Sequence, residues 1–121
     1  MQDEMQEIRQ ACEGLEYPSE SDTPFDVFTW PAAGGAAKDQ VVAHGGKGRR
    51  VEEVTVDDFF AELVEGDDGD RFRRLCATLE SHLKDLKIFR VGGGEVKVDV
   101  YLVGRAASGA WGGVHTRSVE T

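Results

Sequence analysis

An α+β fold, with helices laid over an antiparallel or mixed sheet, is what this chain of 121 residues predicts. Three observations carry that expectation. Phe72, Leu75, Cys76, Leu79, Leu83 and Leu86 recur at helical spacing and mark one face of a helix of about four turns. Val96, Val98, Val100 and Leu102 alternate with Lys97, Asp99 and Tyr101, the period-two pattern of a half-buried strand. The segments run in the order helix, strands, helices, strands, which places helices on a sheet rather than in a bundle.

The first element is a short amphipathic helix from about Asp3 to Glu13, with Met5, Ile8, Cys12 and Leu15 at helical spacing and Gly14 as its stop. Pro24 to Pro31 is rich in aromatic and β-branched residues and bracketed by prolines, so it predicts a strand with Phe28 and Trp30 facing one way. Gly34-Gly35-Ala36-Ala37 breaks that strand. Gln40 to Ala43 predicts a second strand, His44 to Gly48 a mobile loop and Arg50 to Val56 a third strand. Thr55-Val56-Asp57-Asp58 has the form of a helix start, a hydroxyl cap with acids in the first turn, ahead of Phe59, Phe60, Leu63 and Val64. Gly66 to Asp70 ends that helix and caps the long one. Lys87 to Val91 predicts a strand, Gly92-Gly93-Gly94 a turn, and Ala110 to Glu120 a last strand pairing antiparallel with its predecessor. No internal repeat, low-complexity block or linker interrupts the chain, so residues 1–121 are expected to form one domain, a size suited to a single core.

With 23 acidic against 14 basic residues the formal net charge is −9. Such a balance argues against direct binding of nucleic-acid phosphates, which need basic stripes and counterion release. It suits a basic partner, whose complementary field speeds encounter and rejects wrong partners, although solubility alone explains many acidic surfaces. Cys12 and Cys76 lie at apolar helical positions and are expected to be buried thiols, not a disulfide framework. The acidic start Met1-Gln2-Asp3-Glu4 lacks an apolar signal region, and no apolar run is long enough to span a bilayer. A cytoplasmic protein without membrane association is expected. Nothing resembles a coiled-coil seam, and the size and acidity are compatible with a monomer.

The residues make a poor enzyme. His44, His82 and His115 with the two cysteines lack the close spacing of a structural zinc site. Gly45-Gly46-Lys47-Gly48 lacks the Ser or Thr that follows the lysine of a phosphate cradle, and Asp67-Asp68-Gly69-Asp70 lacks the alternating ligands of a calcium loop. No nucleophile elbow surrounds Ser108. Trp111 reads as a residue buried against the long helix, with an exposed interface anchor as the alternative. Arg71, Arg73 and Arg74 are flanked by acids and read as a solvated face. Two oxygen-rich places remain. Ser19-Glu20-Ser21-Asp22 is acidic and precedes Pro24-Phe25, and Val119-Glu120-Thr121 ends a strand-like run with a hydroxyl and a carboxylate that could chelate a metal.

The run from Gly14 to Phe28, with its Gly-Leu, Ser-Glu-Ser-acid and Pro-Phe-acid-Val-Phe elements, resembles the nuclease A inhibitor family. Phe89 to Gly92, Glu95 to Gly104 and Gly113 to Thr121 resemble the C-terminal strands of that family in the same order. The likeness spans nearly the whole chain, although Ala32 to Arg50 matches poorly. It implies a three-layer α-β-α sandwich similar to the pathogenesis-related 1 fold. It also implies inhibition of a non-specific, metal-dependent DNA/RNA endonuclease. Carried over by position, Thr121 would reach the magnesium held by the partner nuclease, and Glu20 would meet arginines there. Ser19, Asp22 and Glu120 complete the expected partner-binding set, and no cofactor of the chain's own is implied. Ala61 to Asp70 departs from the family, being shorter than its acidic segment before the long helix and free of Trp and Tyr. That departure permits a second reading, a regulatory or ligand-binding module of the same fold. A third is a small metal-dependent hydrolase using His82 or His115.

Overall fold

The computed structural model describes residues 3–119. Helix α1 spans Asp3–Cys12 and stops where expected: Leu15 N–H returns to the Cys12 carbonyl, and Gly14 takes φ 74°, a left-handed value that glycine tolerates without a Cβ clash. A small hairpin follows, β1 (Glu16–Tyr17) paired antiparallel with β2 (Thr23–Pro24). The main sheet contains β3 (Asp26–Trp30), β4 (Val51–Val54), β5 (Lys84–Val91), β6 (Lys97–Arg105) and β7 (Trp111–Val119). Its order is β3-β7-β6-β5-β4, and every neighbouring pair is antiparallel. The connecting helices are α2 (Ala37–Val41), α3 (Val56–Leu63) and α4 (Gly69–His82). The protein is thus a mixed α+β fold with antiparallel sheets, and none of its helices among the described residues is long and apolar enough to cross a membrane.

Alternation along the strands sorts the core into two clusters. Ile88, Val100, Leu102 and Val114 pack with Ile8 of α1, Phe59 and Leu63 of α3, and Phe72, Leu75 and Leu79 of α4. Their immediate neighbours Phe89, Tyr101 and Val103 point the other way, toward Trp111 and toward Ala37 and Val41 of α2. Leu75 and Leu79 are fully buried, so truncating either to alanine removes packing worth about 2–5 kcal/mol. Thr55 caps α3 as its sequence predicts, its hydroxyl accepting from Asp58 N–H at 3.1 Å.

Three expectations require correction. Gln40 to Ala43 is not a strand: Ala37–Val41 is helical, and Val42–Gly46 widens into a π-helical turn where a loose loop was expected. The side chain of Asp39 accepts from Ala36 N–H at 2.9 Å and starts the helix, while Gln40 donates to the Gly34 carbonyl at 2.8 Å. Gly45 lets the turn settle on the sheet, because a Cβ there would come within 2.2 Å of the Tyr101 hydroxyl oxygen. The long helix ends at His82, four residues short of Leu86; Leu83 is extended (φ −124°, ψ 136°), Asp85 is left-handed, and β5 begins at Lys84 with a bulge before Lys87. Leu83 and Leu86 therefore reach the same apolar cluster from a bulged strand. Trp111 is buried, but not against the long helix. It packs among Ala37, Val41 and Val103 with the Arg105 guanidinium 4.1 Å over its ring, and its indole N–H donates to the Ala33 carbonyl.

Candidate functional site

Five residues, Pro18 to Asp22, turn the chain between β1 and β2. The turn is fastened to the end of β7. Glu20 N–H donates to the Val119 carbonyl at 3.1 Å, and Val119 N–H donates to the Ser19 hydroxyl at 3.0 Å, so one residue of β7 is bound through both of its backbone groups. The Ser19 hydroxyl in turn donates to the Ser21 carbonyl at 2.8 Å. The hairpin is held at its other end by Thr116, a buried residue of β7 whose hydroxyl donates to the Pro24 carbonyl at 3.0 Å. Glu20 is exposed, and its carboxylate has no hydrogen-bond or salt-bridge partner among the described residues. Glu120 and Thr121, the two other principal residues expected to meet a partner, lie outside the described residues.

Asp22, the fifth expected contact, is exposed and borders a cleft of about 470 Å³ between the turn and the connection from α3 to α4. Tyr17, Phe59 and Phe72 line its apolar side; Glu16, Glu62, Asp67 and Asp68 supply acids around it. The short acidic segment before the long helix therefore borders the same hollow as Asp22. Tyr17 and Phe59 stack with centroids 5.6 Å apart, which fixes the hairpin on α3.

On the other face of the sheet a second polar group forms around Asp99 and includes His115. Its carboxylate accepts from Arg49 at 2.7 Å, His115 at 2.8 Å and Arg117 at 3.0 Å. Burial alone would raise the Asp99 pKa, but these three donors outweigh it and hold the group down at about 2. Arg49 also pairs with Glu95 and donates to the Gly45 carbonyl, so the network ties the π-helical turn to β6 and β7. The signal was present in the register, where Asp99 stands opposite Arg117 and Tyr101 opposite His115.

The three histidines each have a local partner. His82 faces Glu7 of α1 at 2.8 Å, His115 faces Asp99 on the other side of the sheet, and His44 stacks on Trp30 with centroids 4.3 Å apart. Among the described residues no three metal-ligating side chains gather. Burial and then the neighbouring Glu80 charge push the Cys76 thiol up to about 11, and burial raises Cys12, so neither is an activated thiolate. Arg71 is not merely solvated, because it donates to the carbonyls of Ala11 and Glu13 and clasps the end of α1.

The chain is an antiparallel α+β domain that carries an exposed acidic turn stitched to the end of its last strand. The chain belongs to the nuclease A inhibitor-like protein family, NuiA, whose family model matches residues 2–121, essentially its full length. That family is one of nuclease inhibitors. No curated protein matches the chain.

Proposed function

We infer that the protein inhibits a non-specific, metal-dependent DNA/RNA endonuclease by filling its active site with oxygens that stand in for a phosphate. The observation that supports this reading most is the pair of hydrogen bonds joining Ser19 and Glu20 to Val119. They set an exposed carboxylate, without a hydrogen-bond or salt-bridge partner among the described residues, beside the strand that precedes Glu120 and Thr121 in the sequence. A nuclease of this kind surrounds phosphate with cations and a divalent metal, so an inhibitor needs only hard oxygens at the same positions. Glu20 would meet arginine, a charge-assisted contact. Thr121 offers a hydroxyl and a carboxylate, the hard donors that magnesium prefers, and the ion belongs to the partner. Asp22 and the acids bordering the adjacent cleft add to the negative field around Glu20 and favour approach to a cationic cleft.

In this reading the inhibitor acts stoichiometrically as a cytoplasmic monomer, performs no catalysis and needs no cofactor of its own. Its two-sided helical cover is read as a three-layer α-β-α sandwich similar to the pathogenesis-related 1 fold. The test is a titration of magnesium-dependent, non-specific nucleases with the whole chain and with a chain lacking Thr121. Cleavage is expected to stop at a stoichiometric end point with the first and to need much more of the second, at an unchanged melting temperature. Equal inhibition by both chains rules out the role of Thr121, and no inhibition by either rules out the function.

A further inference from the structure

We propose that Ser19 acts as a positioning residue, its hydroxyl locking the Glu20 turn to the end of β7 so that the turn and the strand end form one rigid prong. This inference rests on the nuclease-inhibitor reading and reassigns a residue expected to touch the partner. The hydroxyl has a single proton, and that proton is committed to the Ser21 carbonyl at 2.8 Å. One of its acceptor positions is taken by Val119 N–H at 3.0 Å. Ser19 is also only partly exposed, whereas Glu20 beside it is exposed.

The restraint acts at the middle of a span already pinned elsewhere. Thr116 holds the hairpin through the Pro24 carbonyl, and Glu20 N–H holds the Val119 carbonyl. Without the Ser19 hydroxyl, Val119 N–H loses that acceptor, and Val119 stays tied to the turn through its carbonyl and Glu20 N–H alone among the described residues. The two presenting segments would then move independently, and only part of the population would match the nuclease at any moment. Binding through a partly populated competent state weakens in proportion to that fraction, and the loss falls on association. A lost direct contact shows instead mainly as faster dissociation.

The experiment compares wild type, Ser19→Ala and Ser19→Thr. Amide hydrogen exchange of Val119 in the free protein reads the lock, and association and dissociation rates with an inhibited magnesium-dependent nuclease read its consequence. Ser19→Ala is expected to speed Val119 exchange and slow association about tenfold, with dissociation within about twofold of wild type. Ser19→Thr, which keeps a hydroxyl, is expected to restore both. Unchanged Val119 exchange in Ser19→Ala overturns the lock, and unchanged association or a defect confined to dissociation overturns the positioning role; in each case wild-type inhibition stands. If wild type inhibits none of the nucleases, the inhibitor reading fails and the positioning role fails with it.

Discussion

Glu20 and Val119 are bonded through their backbones at 3.1 Å, although 99 positions separate them in the sequence. The bond joins the tip of a small hairpin to the last described residue of the central sheet's longest pairing, β6 with β7. A turn fixed in this way loses little conformational freedom when a partner closes on it, which is where protein interfaces commonly lose affinity. The carboxylate of Glu20 is left facing outward with none of the described residues to neutralise it. In the inhibitor reading proposed above, that carboxylate is the group that meets the target.

Replacing Glu20 with alanine separates binding from folding. The side chain makes no bond among the described residues, so the melting temperature is expected to stay within about 2 °C of wild type. Inhibition is expected to weaken about thirtyfold or more, equivalent to ~2 kcal/mol for a charge-assisted pair enclosed at an interface. Competitive assays of nuclease cleavage decide it, and a loss below threefold would remove Glu20 from the contact.

Long-range electrostatics give a second expectation. A net charge of −9 approaching a cationic cleft accelerates encounter at low salt and loses that advantage when ions screen it. Stopped-flow association between about 0.02 and 0.5 M salt is expected to slow at least tenfold, with a much smaller change in dissociation. A salt-independent association rate would argue that the acidity serves solubility alone.

The fold was legible in the sequence wherever local pattern and tertiary packing asked for the same structure. Val100 and Leu102 recur at every second position because they face the helix-covered cluster, while Tyr101 and Val103 between and after them face the second one, and Thr55 reads as a cap because a hydroxyl three residues before Asp58 meets its amide. Gln40 to Ala43 misled because a short apolar run with two valines fits a buried helix as well as a strand. The deciding contact was the carboxylate of Asp39 on Ala36 N–H, with Gly45 of the π-helical turn settling over Tyr101. Leu83 and Leu86 continued the helical spacing past the true helix end, since a bulged strand returned them to the same cluster. Of the candidate site, the residue types in Ser19 to Asp22 were visible, whereas the stitch to Val119 joins positions 100 apart and has no local signature. The network on Asp99 was hidden for the same reason, being written across two strands and the loop that carries Arg49.

Gly113 tests how tightly the two central strands are packed. An added Cβ would lie 1.8 Å from the Leu102 carbonyl oxygen and 3.2 Å from Val103 Cα, and neither backbone can yield without breaking the β6–β7 pairing. Gly113→Ala is expected to destabilise the protein by about 3 kcal/mol in urea unfolding. Gly34→Ala, where nothing lies within 4 Å of the new methyl, is the control and is expected within ~0.5 kcal/mol of wild type.

The Asp99 carboxylate links stability to acidity. Its folded pKa of about 2 lies below the ordinary value of 3.8, because Arg49, His115 and Arg117 favour the charged form more strongly than burial opposes it. A depressed carboxylate contributes its full stabilisation above the unfolded pKa and loses it as the pH falls through the folded one. The contribution is about 2 kcal/mol, is complete above roughly pH 5 and disappears toward pH 2. Asp99→Asn removes the charge at every pH while keeping the shape, leaving one neutral amide oxygen where two carboxylate oxygens accept from Arg49, His115 and Arg117. Urea unfolding of the two proteins is therefore expected to differ by about 2 kcal/mol at pH 6 and to converge as the pH approaches 2. A gap that stays constant down to pH 2 would mean that the carboxylate's geometry, and not its charge, holds Arg49 and the π-helical turn on the sheet.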